Sequence, residues 1–243
     1  LSPDPASTAS PPPRAFRQAD LLAGLTDDEL ADVAGRFKQA HYDSGQTILL
    51  EGEPATAFHL VSRGKVKVFQ TSADGSEVIL HIFEPGGVIG ALPVAGEESY
   101  PASAEALEAV ETYFITADAF EAVMLAYPTV TRNLLRFATQ MLQSAHRRLR
   151  EMSTERVERR IARTLARLVA QLGEQRSGEI AIDAPLSRQD LAEMSGTTLY
   201  TVSRTLKQWQ RAGILRAGRK RITITDAHRL IEIAEDLPIS PNP

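Results

Sequence analysis

Cysteine is absent from the 243-residue chain. That excludes disulfides, thiolate zinc sites, cysteine-ligated iron–sulfur clusters and cysteine nucleophiles together, and it is compatible with a cytoplasmic home. No stretch approaches the ~18 uninterrupted apolar residues that span a bilayer. The N-terminus lacks the basic-then-apolar pattern of a signal peptide. An excess of positive charge is missing too: 27 Lys and Arg stand against 31 Asp and Glu, a formal −4, which argues against a uniformly basic nucleic-acid coat. The five histidines include no closely spaced pair beside a carboxylate, the donor set of a metal-dependent barrel enzyme. A glycine-rich phosphate loop with lysine and a nucleophile elbow are also lacking.

What is present is an ordinary soluble composition, 43% apolar and 24% charged, over a length that suits two modest domains. Residues 1–13 are rich in Pro, Ser and Ala without apolar periodicity and read as a disordered tail. Leu21, Leu22, Leu25, Leu30 and Val33 mark a short helical pair, with Thr26 as N-cap ahead of Asp27, Asp28 and Glu29. From Tyr42 to about Thr116, short apolar runs (47–50, 65–69, 78–83) alternate with Gly45, Gly52, Gly64, Gly75, Gly86, Gly87 and Gly90. Val66 and Val68 alternate with period two, and Asp74-Gly75 is a hairpin signal. This predicts a small antiparallel barrel or sandwich over 14–127.

A long helix follows over 128–153, with Pro128 in its first turn. Thr131, Leu135, Ala138, Leu142, Ala145, Leu149 and Met152 recur with alternating spacings of four and three. Such a heptad seam fits a two-stranded coiled coil, hence a homodimer, with small Ala138 and Ala145 allowing close approach. The competing reading is a single amphipathic helix lying on its own barrel. Ser153-Thr154 is the hinge candidate, and a further helix is expected over Val157–Leu172.

The segment 187–224 carries the chemistry. Ser187 with Asp190 three residues on has the spacing of a capping box. Gly196 supplies a tight turn, and Thr197 or Thr198 caps a second helix with Val202, Leu206 and Trp209 on its inner face. Its outer face holds Thr198, Leu199, Tyr200, Ser203, Arg204, Lys207 and Arg211. This is helix-turn-helix spacing, and the second helix of such a motif enters a major groove. Ile214-Leu215 and Ile222–Ile224, with a turn at Ala217-Gly218, form a basic wing bearing Arg216, Arg219, Lys220 and Arg221, placed for phosphate contacts. Dividing the charge at the hinge separates two characters. Residues 1–153 hold 12 Lys and Arg against 20 Asp and Glu, −8, while 154–243 hold 15 against 11, +4. An acidic sensor joined to a basic DNA-binding half fits that division.

Several motifs resemble the cAMP receptor protein/FNR (CRP/FNR) family of bacterial transcription factors. They are Tyr42–Gly45, Gly52, Val61–Val68, Gly86–Gly90, Arg160–Leu165, Leu186–Thr198 and Thr201–Arg204. The resemblance spans about residues 20–236. It implies an α+β chain: a cyclic-nucleotide-binding-type jelly roll, a dimerising helix and a winged helix-turn-helix over 154–243. It further implies palindromic promoter sites and either recruitment of RNA polymerase or occlusion of promoters. By this resemblance Arg204 reads guanine O6 and N7, Ser203 lies beside it, and Lys207 meets phosphate. Ser187, Arg188, Thr198 and Lys220 match backbone-contacting positions. Tyr200 stands where the family commonly has a glutamate, so one base pair of the half-site is expected to differ.

The family's cAMP binders carry a glutamate after a glycine, and later an arginine for the cyclic phosphate. Here Ala91 follows Gly90, Tyr100-Pro101 takes the later place, and no Lys or Arg occurs from Val68 to Thr131. A cyclic phosphate would lack charge-assisted bonds, which argues against cAMP or cGMP. The effector pocket by position comprises Ile89, Gly90, Ala91, Leu92, Tyr100, Ala102 and Ser103, with Pro93 and Val94 offering an apolar lining. A haem ligand would have to come from His41, His59, His81, His146 or His228. His81 and His146 read more readily as structural and as solvent-facing, respectively. A ligand-free member of the family also fits the residues.

Overall fold

The computed structural model describes residues 12–73, 75, 77–90, 99–218 and 220–237. The expected tail therefore lies outside the described residues except for Pro12 and Pro13, and so do Asp74, Ala91, Leu92, Pro93, Val94 and Arg219. The chain forms two compact units: Leu1–Gln70 with His81–Met141, and Thr71–Leu80 with Leu142–Pro243.

In the first unit, helix α1 (Arg14–Gln18), a 3-10 turn at Asp20–Leu22 and helix α2 (Asp27–Gly35) precede the strands. Thr26 caps α2 as its sequence predicts. Its hydroxyl accepts from the Glu29 amide at 3.3 Å, and the Glu29 carboxylate accepts from the Thr26 amide at 2.7 Å. Two orphan donors at the positive helix end are thereby satisfied.

The strands are β1 (Lys38–Tyr42), β2 (Thr47–Leu49), β3 (Ala57–Arg63), β4 (Val66–Thr71), β5 (Glu77–Phe83), β6 (Val88–Ile89), β7 (Ser103–Ala106) and β8 (Val110–Thr116). They form two four-stranded sheets, ordered β1-β8-β3-β6 and β2-β7-β4-β5. The jelly-roll expectation is met as two sheets that share a core. Val61, Ile89 and Val110 from one pack with Leu49, Val66, Ala104 and Ala106 from the other. A second core lies under the helices, where the Phe58 and Phe120 rings stack at 4.4 Å amid Phe16, Leu60, Ile115 and Val123. Phe120 and Val123 come from α3 (Ala117–Ala126), a helix not anticipated from the periodicity.

Helix α4 (Pro128–Thr154) is continuous. Buried Asn133 ties its start to the N-terminal segment by donating to Leu21 O at 3.0 Å and Ala23 O at 2.8 Å. The break expected at Ser153-Thr154 falls just beyond, at Glu155 and Arg156. Both hydroxyls instead bond back within the helix, to Leu149 O and Arg150 O at 2.9 and 2.8 Å, and Arg156 turns extended as the N-cap of the next helix.

The second unit is built on α5 (Val157–Leu172), with the bounds its periodicity gives. Ile161, Ala162, Leu165 and Leu168 are fully buried along one face. Around it lie α6 (Arg188–Ser195), α7 (Leu199–Arg211) and α8 (Ala227–Glu235). A third sheet, ordered β11-β12-β10-β9, joins β9 (Gly173–Arg176), β10 (Glu179–Ile182), β11 (Leu215–Gly218) and β12 (Arg221–Ile224). The wing turn lies two residues beyond Ala217-Gly218: both residues are in β11, Gly218 pairs with Arg221, and Lys220 takes the left-handed backbone at φ +53. Residues 71–80 join this unit through Arg148 on α4, whose Nη1 donates to Ile79 O at 3.4 Å.

Gly90 has φ +74, and a Cβ there would lie 2.7 Å from Ala57 O. Gly90→Ala is therefore expected to cost at least ~1–3 kcal/mol from the backbone conformation alone. Thermal unfolding should show a lowered midpoint with the fold retained; an unchanged midpoint would contradict this geometry.

Candidate nucleic-acid interface

Helices α6 and α7 pack against each other, and α6 packs on α5. Ser187 caps α6, accepting from the Asp190 amide at 3.1 Å while the Asp190 carboxylate accepts from the Ser187 amide at 2.6 Å. Gly196 ends α6 at φ +61, the left-handed conformation its position demands. Of the two threonines, Thr198 is the cap of α7, accepting from the Thr201 amide at 3.2 Å.

The turn between the helices is held by a residue to which sequence reasoning gave no role. Arg160 on α5 donates from Nε to Ser195 O and from Nη2 to Gly196 O, both at 3.0 Å, and from Nη1 to Glu155 O at 3.0 Å. Three carbonyls, two at the end of α6 and one at the interruption between α4 and α5, are satisfied by one guanidinium. The only sequence signal was its place in the Arg160–Leu165 motif. Met152 packs against the same turn, its Cε 2.9 Å from where a Gly196 Cβ would sit.

On α7, Val202, Leu206 and Trp209 are buried as expected. Thr198, Leu199, Tyr200, Arg204, Lys207 and Arg211 are exposed, and Ser203 is half-buried. Arg188 on α6 and Lys220 at the wing tip are exposed as well. Among the described residues, Arg188, Arg204, Lys207 and Lys220 make no ion pair, so their charge is free for an anion. Arg216, expected with the rest of the basic wing to be placed for phosphate, is engaged within the protein. It forms a two-pronged pair with Glu179 of β10, with Nη1 2.6 Å from Oε1, and the carboxylate raises its pKa. The exposed face of α7, the start of α6 and the wing tip all belong to the second unit.

In the first unit, the candidate effector residues are already engaged. Tyr100 is buried, and its hydroxyl donates to Ala57 O at 3.0 Å while accepting from the Thr56 and Ala57 amides at 3.2 and 3.0 Å. Ser103 Oγ accepts from the Glu51 amide at 3.0 Å. Ile89 is in the core, Ala102 is half-buried, and Gly90 lies against Ala57 O and the Tyr100 ring. No side chain among these described residues offers a charged group for a phosphate.

The histidines are dispersed. His41, His146 and His228 are exposed, and His81 packs on Phe83 with ring centroids 4.4 Å apart. His59 is buried, 3.2 Å from Thr112 Oγ1 and stacked on Phe114. Among the described residues no group of three His, Cys, Asp or Glu side chains is placed to hold a metal ion.

Comparison with known proteins adds two matches to family models: a cyclic nucleotide-binding domain over residues 39–127 and a Crp-like helix-turn-helix domain over 159–233. The chain is 30% identical over 219 residues to the Cyclic AMP receptor protein of Thermus thermophilus, covering 90% of this chain and 98% of the relative. It is 25% identical over 213 residues to the CRP-like cAMP-activated global transcriptional regulator of Mycobacterium tuberculosis, covering 88% and 95%. Among solved structures it is similar to FixK2 from Bradyrhizobium japonicum, with TM-score 0.71 and 26% identity over 85% of this chain and 99% of that one.

Burial lowers the His59 pKa from 6.5 to about 4. Below 6.5 the unfolded chain takes up a proton that the folded chain refuses. The stability present above pH 6.5 is therefore lost progressively as pH falls to about 4. Urea midpoints measured across that window should fall, and His59→Gln should flatten the decline; an equal decline in both would contradict the assignment.

Proposed function

We propose, for a chain that belongs to the CRP/FNR family of transcription regulators, a homodimer that binds palindromic promoter DNA with one recognition helix per half-site. Family membership makes the protein a helix-turn-helix transcription regulator and not an enzyme. The observation that carries the reading is the division of α7. Val202, Leu206 and Trp209 anchor one face, while Tyr200, Arg204 and Lys207 stand bare on the other. Arg204 reads guanine through O6 and N7, with Ser203 beside it and Leu199 at the helix start. Lys207, Arg188, Ser187, Thr198, Lys220 and Arg219 serve the phosphate backbone.

The dimer reading is supported by exposure at heptad spacing. Leu135, Ala138, Leu142, Ala145, Leu149 and Met152 are all exposed in the isolated chain, although four of them are large and apolar. A row of this kind marks a surface that a partner covers, and two-fold pairing of one helix with its copy is the simplest closure. A change of angle at Glu155-Arg156 then orients the two reading heads in a rigid-body switch. By kinship, the dimer works in the cytoplasm and engages RNA polymerase. No helix among the described residues is long and apolar enough to cross a membrane.

The sensor unit, in this reading, does not use cAMP or cGMP. Tyr100 takes the place of the expected arginine and commits its hydroxyl to strand β3, while Ser103 is committed to Glu51. Haem fits poorly too: His59 is enclosed with Thr112 and Phe114, and the absence of cysteine removes an iron–sulfur sensor.

Arg204→Ala is expected to cost ~1–3 kcal/mol per half-site and to relax preference at its guanine, with the dimer intact. Competition against nonspecific duplex reads this; unaltered specificity would reduce the domain to a vestige. Leu142→Asp places two carboxylates in the seam and should yield monomers by sedimentation, together with loss of palindrome binding. A dimer that survives the change would place the interface elsewhere.

A further inference from the structure

The base pair faced by Tyr200 is left open by the preceding reading, and the surface of α7 narrows it. Leu199 and Tyr200 are the first two residues of the helix, and they are 48% and 75% exposed. The N-terminal residues of a recognition helix meet base edges, so this end of the reading head presents two adjacent apolar bodies to the groove. From Leu199 to Arg211 the helix contains no Asp or Glu, so it offers no carboxylate to accept from the cytosine amino group. Among the described residues, the Tyr200 hydroxyl bonds to nothing.

Resting on the operator reading above, we infer that Leu199 and Tyr200 read thymine through its 5-methyl group. A hydroxyl contact alone would leave the Leu199 side chain and the Tyr200 ring facing groove water. Packing on a methyl buries both, and an apolar side chain against the thymine methyl is an established mode of direct readout. Tyr200 precedes Arg204 by one helical turn, a rise of ~6 Å. The thymine therefore lies one or two base steps from the guanine that Arg204 contacts. Specificity at this end of the half-site comes from shape and apolar contact, and at the Arg204 end from paired hydrogen bonds.

The test uses the full-length dimer and an operator selected from a random duplex pool. The thymine facing Tyr200 is replaced by deoxyuridine in both half-sites, which deletes only the methyl groups. Binding should weaken about three- to fivefold per methyl, the worth of one buried methyl-sized group. Tyr200→Phe should keep the deoxyuridine penalty, whereas Tyr200→Ala should lose most of it. Equal binding of the deoxyuridine duplex, a selected cytosine at that place, or Tyr200→Phe as damaging as Tyr200→Ala would overturn the inference while leaving the palindromic operator standing. A pool that yields no enriched palindrome would overturn the operator reading and this inference with it.

Discussion

The second unit depends on how α4 turns into α5. Glu151, near the end of α4, is only 4% exposed, and both its oxygens accept from Arg167 Nη1 at 3.0 and 2.7 Å. A buried carboxylate deprived of this partner is strongly destabilising, so the pair locks the end of the long helix onto α5. Arg167 also donates to Thr164 at 3.1 Å, and Arg163 Nε stands 3.1 Å from Glu155 in the break itself. Arg160 carries the constraint on to the helix-turn-helix turn. The direction of α7 is thereby tied, through three arginines of one helix, to the last turn of α4.

That tie gives the exposed heptad stripe its meaning. If two copies pair along α4, each copy's reading head is carried in a fixed relation to the pair's axis. Within the first unit, Tyr100 consolidates the interior through its bonds to Thr56 and Ala57.

Much of this was legible in the sequence because local physics decides it. Caps at Thr26, Ser187 and Thr198 and the left-handed Gly196 are short-range devices, and the bounds of α5 follow from an uninterrupted 3.6-residue period. The strands β9 and β10 were not legible. Gly173–Arg176 is exposed along its length and shows no alternation, so only pairing with β10 defines it. The wing turn was misplaced because Gly218 looked like the turn residue, whereas Lys220 bears the positive φ. The Arg160 and Arg167 contacts, and the engagement of Tyr100 with β3, join residues far apart in the chain that no spacing rule connects. On α7 the residue types and their outward face were readable from sequence. The structure added how bare Tyr200 is and that Arg216, alone among the described wing arginines, is already paired.

In the proposed complex, two copies joined along α4 read two halves of one palindrome. Native mass measurement of the full chain bound to duplexes with one or two half-sites tests it most directly. Two chains are expected on the two-half-site duplex, and a much weaker complex of two chains on the single half-site. One chain bound with equal strength to either duplex would contradict it.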